Sequence, residues 1–143
     1  MLLYLDTSAL AKLYVDEDGS QSVRDAVHDA HVSGTSAIAY VELRAALARR
    51  RRGGSLSATA HRQARRDIEA DWLRLFVVSL DDDIVRKAGD ASERYGLRAY
   101  DAVHLACAVA FQAEASEPVT FACWDRTLSK AAARLRLRPF PPT

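Results

Sequence analysis

Apolar residues along the chain fall into short blocks that alternate with helical spacing. LLYL (residues 2–5), FVVSL (76–80) and VTFACW (119–124) have the length and β-branched or aromatic content of strands buried on both faces. Val32 and Ser33 suggest a weaker strand, and LRPF (137–140) a last short one. Between these blocks the pattern turns helical. ALAKLYV (9–15) and SVRDAVHDAHV (22–32) give two helical stretches broken around Asp18, Gly19 and Ser20. In SAIAYVELRAALARRRR (36–52), Ile38, Val41, Ala45 and Ala48 recur at helical spacing until Gly53 and Gly54 end the run, and residues 55–73 return as the second arm of a helical hairpin spanning about 37–73. Asp81 to Asp83 open a helix that closes at Tyr95 and Gly96. AYDAVHLACAVAF (99–111) is apolar nearly all round, as a helix inside a core is, and DRTLSKAAARLR (125–136) supplies the last one.

Strands alternating with helices require crossover connections. They predict an α/β fold, a three-layer α/β/α sandwich with a mainly parallel central sheet. Length changes this picture little: 143 residues at 49% hydrophobic content suit one sizeable core, so a single domain over residues 1–143 is expected. The apolar start is shorter than a signal-peptide core and ends on a carboxylate, and no stretch approaches the roughly 18 apolar residues of a membrane span. A soluble, cytoplasmic protein with no membrane partner is expected. Cys107 and Cys123 lie in apolar runs without disulfide or zinc spacing and read as buried core thiols. A net charge of +1 says little, but eight arginines (44, 49, 50, 51, 52, 62, 65 and 66) stand in one stretch uninterrupted by an acid. That stretch is a local positive patch.

In a parallel sheet, ligands bind beyond the carboxyl ends of the strands. Asp6 follows LLYL and Asp125 follows VTFACW, so both carboxylates are expected at one rim. Glu42 has Ile38, Ala45 and Ala46 as its i−4, i+3 and i+4 neighbours, an apolar setting for a charge, and Asp101 opens the most apolar helix. Half-buried carboxylates are costly unless a cation pairs with them or their pKa rises. Oxygen-only donors suit hard cations such as Mg²⁺ or Mn²⁺. Each acid alone has a plain alternative as a helix N-cap, a first-turn complement to a helix dipole, or an edge residue with a solvated head.

The ordered set LDTSAL (5–10), SAIAYVELRAAL (36–47), YDAVHLACAV (100–109) and CWDRTLSKAA (123–132) resembles the PIN-domain family, and within it the VapC-type toxins of toxin–antitoxin pairs. The resemblance implies a parallel α/β/α sandwich and a Mg²⁺- or Mn²⁺-dependent endoribonuclease. It also implies a homodimer, an RNA substrate and inhibition by a VapB-like antitoxin. It maps the acidic metal positions onto Asp6, Glu42, Asp101 and Asp125, and the hydroxyl beside the first acid onto Thr7 or Ser8. One position departs: where the family carries Thr or Ser two residues before its last acid, this chain has Cys123, a weaker donor.

Asp6 and Asp101 are expected as direct ligands. Glu42 is open between ligand, holder of a water on the metal, and base, and Asp125 between a second ion and the outer shell. Arg49, Arg50, Arg51 and Arg52 suit an RNA backbone, an antitoxin, a second subunit or plain solvent. His104 lies one turn from Asp101, on so apolar a helix that a hydrogen-bonded core histidine is expected. Two rival classes stand beside the nuclease. A phosphatase-like enzyme would need a second aspartate two residues after Asp6, where Ser8 stands, and an inactivated PIN-like module would bind RNA or protein without cleaving it.

Overall fold

The computed structural model describes residues 1–142; Thr143, the last residue of the expected single-domain span, lies outside them. Five strands form one sheet: β1 (Leu2–Leu5), β2 (Val32–Ser36), β3 (Phe76–Val78), β4 (Val119–Ala122) and β5 (Arg138–Phe140). Every pairing is parallel and the order is β3-β2-β1-β4-β5. The chain steps outward from β1 through β2 to β3, then returns to lay β4 against the other side of β1. Right-handed crossovers that reverse direction in this way place their helices on opposite faces. The expected three-layer α/β/α sandwich is the fold of this chain.

Two cores record the layering. Alternation along β1 sends Leu3 and Leu5 to one side, against α1 (Thr7–Ala11), α2 (Ser20–Asp29), α3 (Ile38–Arg52) and α4 (Ala58–Trp72). Leu2 and Tyr4 face the other side, against α5 (Asp82–Tyr95), α6 (Ala99–Ala113) and α7 (Arg126–Arg134). Each layer therefore closes over one side-chain parity of the same strand. The hairpin α3–α4 matches the expected span; Leu43 and Leu47 on one arm and Ala64 and Ile68 on the other are buried in the same core, and Ser57 caps the returning arm by accepting from the Ala60 amide.

Four strand boundaries differ from the sequence reading, the slightest at β5, which starts at Arg138 rather than Leu137. β2 runs through to Ser36 although Ser33, Gly34, Thr35 and Ser36 carry little β propensity. Tertiary bonds hold it: Thr35 donates to the Leu5 carbonyl at 2.7 Å, and a Cβ on Gly34 would stand 3.2 Å from the Phe111 ring. β3 stops at Val78 and β4 at Ala122, short of the apolar runs that contain them, because the chain turns there toward its next helix. None of the described helices is long and apolar enough to cross a membrane.

Candidate active site

The sheet reverses its order between β1 and β4, and a crevice opens beyond the carboxyl ends of those two strands. Asp6 leaves β1 there. Its amide still extends the ladder to the Ala122 carbonyl at 3.0 Å, while its side chain turns to cap α1. Oδ1 accepts from the Ala9 amide at 2.9 Å and from the Ser8 hydroxyl at 2.7 Å; Oδ2 has no donor among the described residues. Asp6 is only 4% exposed and has no cationic partner there. Burial drives its carboxyl above the ordinary range; positive charge on the nearby His104 ring and the bonds from Ser8 and Ala9 offset only part of the rise, to which the Asp101 charge adds a little.

The other acids are compensated. Arg98, just before α6, places Nε 3.1 Å from Asp101 Oδ2 and a terminal nitrogen 3.7 Å from Asp125 Oδ2. One guanidinium thus bridges both aspartates. Asp125 also caps α7, its Oδ1 accepting from the Leu128 amide at 2.8 Å. Glu42 reaches the rim from α3, and its Oε1 accepts from the Thr7 hydroxyl at 2.7 Å with His104 Nε2 at 2.8 Å. Burial pushes Glu42 up, but these two hydrogen bonds outweigh it and hold the carboxyl below its usual range.

A cleft of ≈ 530 Å³ continues from Glu42 along α3, lined by Thr7, Ser8, Glu42, Arg49, Arg50 and Tyr100 among others. Helical spacing explains the choice: positions 42, 46, 49 and 50 share a face, whereas Arg51 and Arg52 are exposed and do not line this cleft. Arg50 is already paired, bonding Glu17 Oε2 at 2.7 Å, while Glu17 Oε1 holds Lys12 at 3.1 Å. Arg49 makes no ion pair among the described residues. Cys123, in the place of the expected hydroxyl, donates weakly to the Asp125 carbonyl at 3.6 Å, and burial pushes its thiol up to about 12.

The sequence profile of the PIN domain matches residues 3–121, a span that holds Asp6, Glu42 and Asp101. The chain belongs to the PIN domain family. Among its relatives is Ribonuclease VapC49 of Mycobacterium tuberculosis, 37% identical over 142 residues, covering 98% of this chain and 95% of the relative. The resemblance to VapC-type PIN domains is thereby borne out. Two solved structures share the fold. FitAcB from Neisseria gonorrhoeae superposes with a TM-score of 0.68 at 21% identity, covering 99% of this chain and 98% of that one. A toxin-antitoxin complex from Klebsiella pneumoniae gives 0.64 at 18% identity, covering 92% and 90%.

The family implies a divalent metal in this PIN domain, and the donor set can be tested against one. Among the described residues no three His, Cys, Asp or Glu side chains stand close enough to enclose an ion. Mg²⁺, however, needs only one or two carboxylates and completes its octahedron with water and phosphate oxygens. Asp6 meets that need: a carboxylate of a buried residue, with no ion-pair partner among the described residues and with Asp101 as a charged neighbour. The residues present fit such an ion through Asp6 and Asp101. Three side chains at the rim were not legible as site residues from sequence alone. Arg98 carried a signal, the i,i+3 spacing to Asp101 at a helix start. Tyr4 carried none. His104 is indeed a core histidine, 2% exposed, and it also touches Glu42.

Proposed function

We propose that this PIN domain is a Mg²⁺- or Mn²⁺-dependent endoribonuclease, the toxin of a cytoplasmic toxin–antitoxin pair. The observation that carries the metal dependence is Asp6, a carboxylate buried at the switch point of the sheet with no ion-pair partner among the described residues. The name of the 37%-identical relative supports ribonuclease chemistry, and the toxin–antitoxin assembly that shares the fold supports a VapB-like partner. Exposed Val41, Val85 and Tyr100, at 62%, 53% and 59%, support further protein contacts, including a homodimer.

Asp6 and Asp101 would hold the ion. When bound, it supplies Lewis acidity toward water and phosphate oxygens and neutralises charge that builds up in phosphodiester hydrolysis. The chain's own residues do the rest. Ser8 and the Ala9 amide hold Asp6 Oδ1 in place, so that Oδ2 is the oxygen offered outward. Glu42 has Oε1 committed to Thr7 and His104, which would leave Oε2 to support the ion from its outer shell. Arg49, lining the cleft next to Glu42, offers a fork for a substrate phosphate. Protein freed of antitoxin should cleave RNA with Mg²⁺ or Mn²⁺, and EDTA or Asp6→Asn should stop it. Cleavage that survives both chelation and D6N overturns this reading; RNA binding without any cleavage would favour an inactivated module.

A further inference from the structure

The two helical layers meet above the sheet through side chains. Glu42 comes from α3 on one face and His104 from α6 on the other. His104 Nε2 lies 2.8 Å from Glu42 Oε1 and 3.0 Å from the Thr7 hydroxyl; its Nδ1 lies 3.0 Å from the Tyr4 hydroxyl. Both rings are buried, Tyr4 at 0% and His104 at 2% exposure.

The partners dictate the protons. Thr7 spends its hydroxyl proton on Glu42 Oε1, so Nε2 faces two acceptors and must donate. Tyr4 is a buried phenol, protonated at neutral pH, and its hydroxyl stands 3.0 Å from Nδ1, where it has a proton to present. A phenol donating to Nδ1 selects the tautomer that carries its hydrogen on Nε2. A histidine needed only for packing has no reason to spend its second nitrogen on an acid of the opposite layer. Here that nitrogen and Thr7 converge on one oxygen of Glu42, and the other oxygen has no donor among the described residues.

We propose that Tyr4 and His104 are positioning residues: Tyr4 sets the His104 tautomer, His104 with Thr7 fixes Glu42 Oε1, and Oε2 is thereby left as the working oxygen at the metal rim. This rests on the metal-dependent reading above. It assigns work to two side chains outside the acidic set, and it makes β1 supply both the first acid and, two residues earlier, the control of another.

The test combines Mn²⁺ titration of the purified protein by calorimetry, urea unfolding, and imidazole ¹⁵N spectra of the metal-free protein. Supporting groups of this kind move metal affinity by about 10–100-fold, so His104→Leu should weaken Mn²⁺ binding by that order. His104→Gln, whose amide can still donate to Oε1, should restore most of it. In a Glu42→Gln background His104→Leu should add nothing, because it acts through Glu42. Tyr4→Phe removes one hydroxyl and keeps the ring. It should leave the protein folded, redistribute the His104 proton between Nδ1 and Nε2, and weaken Mn²⁺ binding.

Folded His104→Leu that binds Mn²⁺ like the parent overturns the assignment, as does His104→Gln that performs no better. Should His104→Leu fail to fold, Tyr4→Phe decides: parental tautomer and parental affinity overturn the proposal. A parent protein that binds no Mn²⁺ overturns the metal reading together with this role, whereas tight parental binding that His104→Leu leaves intact overturns this role alone.

Discussion

Arg98→Gln tests what the guanidinium between Asp101 and Asp125 is doing. It is the only cation bonded to either aspartate among the described residues, with its nitrogens 3.1 Å and 3.7 Å from their carboxylate oxygens. Its side chain is 80% exposed, against 19% for Asp101 and 38% for Asp125, so solvent screens the pair heavily. Exposed ion pairs are worth about 0.2–1 kcal/mol, and the longer contact belongs at the low end, which gives about 0.5–1 kcal/mol for the bridge. For a chain of this size that is about 2–4 °C in melting temperature. In EDTA at neutral pH the variant should melt lower by that amount, and the difference should fade in high salt. With Mn²⁺ present the deficit should close. A guanidinium lying across the acids opposes a second cation, so its loss should tighten Mn²⁺ binding by about two- to fivefold, the same free energy expressed as a Kd. Differential scanning fluorimetry with and without Mn²⁺ reads both halves. A variant that melts like the parent in EDTA and binds Mn²⁺ more weakly would refute the reasoning, because Arg98 would then be orienting Asp101 for the metal.

Two further outcomes follow from the same geometry. The folded protein holds the Asp6 pKa above its unfolded value, so Asp6 contributes stability that is fully present below about 3.9, the unfolded pKa, and is lost as pH rises through the folded pKa. Glu42 has the opposite sign, its contribution being lost as pH falls, so the test is the difference between parent and Asp6→Asn in EDTA: the variant should gain on the parent as pH climbs from 4 to 7, and a flat difference would defeat the assignment. At Gly19, φ is +86° and an added Cβ would stand 2.7 Å from the Trp124 ring. Gly19→Ala should therefore cost roughly 2–4 kcal/mol from left-handed backbone strain plus overpacking, read from the urea midpoint; an unchanged midpoint would contradict the close packing.

The layered fold was legible because its strongest signals are local. Runs such as LLYL and VTFACW and the spacing in residues 36–52 carry their own periodicity, and they became β1, β4 and α3. β2 was under-read because its polar residues are satisfied at a distance: Thr35 bonds the carbonyl of Leu5, thirty residues away, which no window of sequence contains. The same distinction divides the site. Asp6, Asp101 and Asp125 announce themselves by standing at strand and helix ends. The Tyr4–His104–Glu42 network joins residues from β1, α6 and α3; Glu42 stood out by its apolar setting, but Tyr4 and His104 look locally like ordinary core positions. The arginine run was legible as charge but not as direction; only the helix shows that Arg49 and Arg50 share the face of Glu42.

Reading Asp6 and Asp125 as helix caps and reading them as site residues turn out not to compete. Both cap a helix, through bonds of 2.9 Å and 2.8 Å to backbone amides three residues on. In a parallel sheet every strand must hand the chain to a helix at its carboxyl end, and an acid is a favoured residue at that junction. The cap bond uses one oxygen and fixes the rotamer, so the second oxygen is presented by a rigid element at the rim where the sheet binds ligands. Capping thus supplies the orientation that metal binding needs. The distinction between a plain cap and a site residue then lies in how the remaining charge is balanced. Asp125 shares the Arg98 guanidinium with Asp101. Asp6, almost fully buried and without an ion-pair partner among the described residues, is the rim carboxylate whose charge the fold balances least directly.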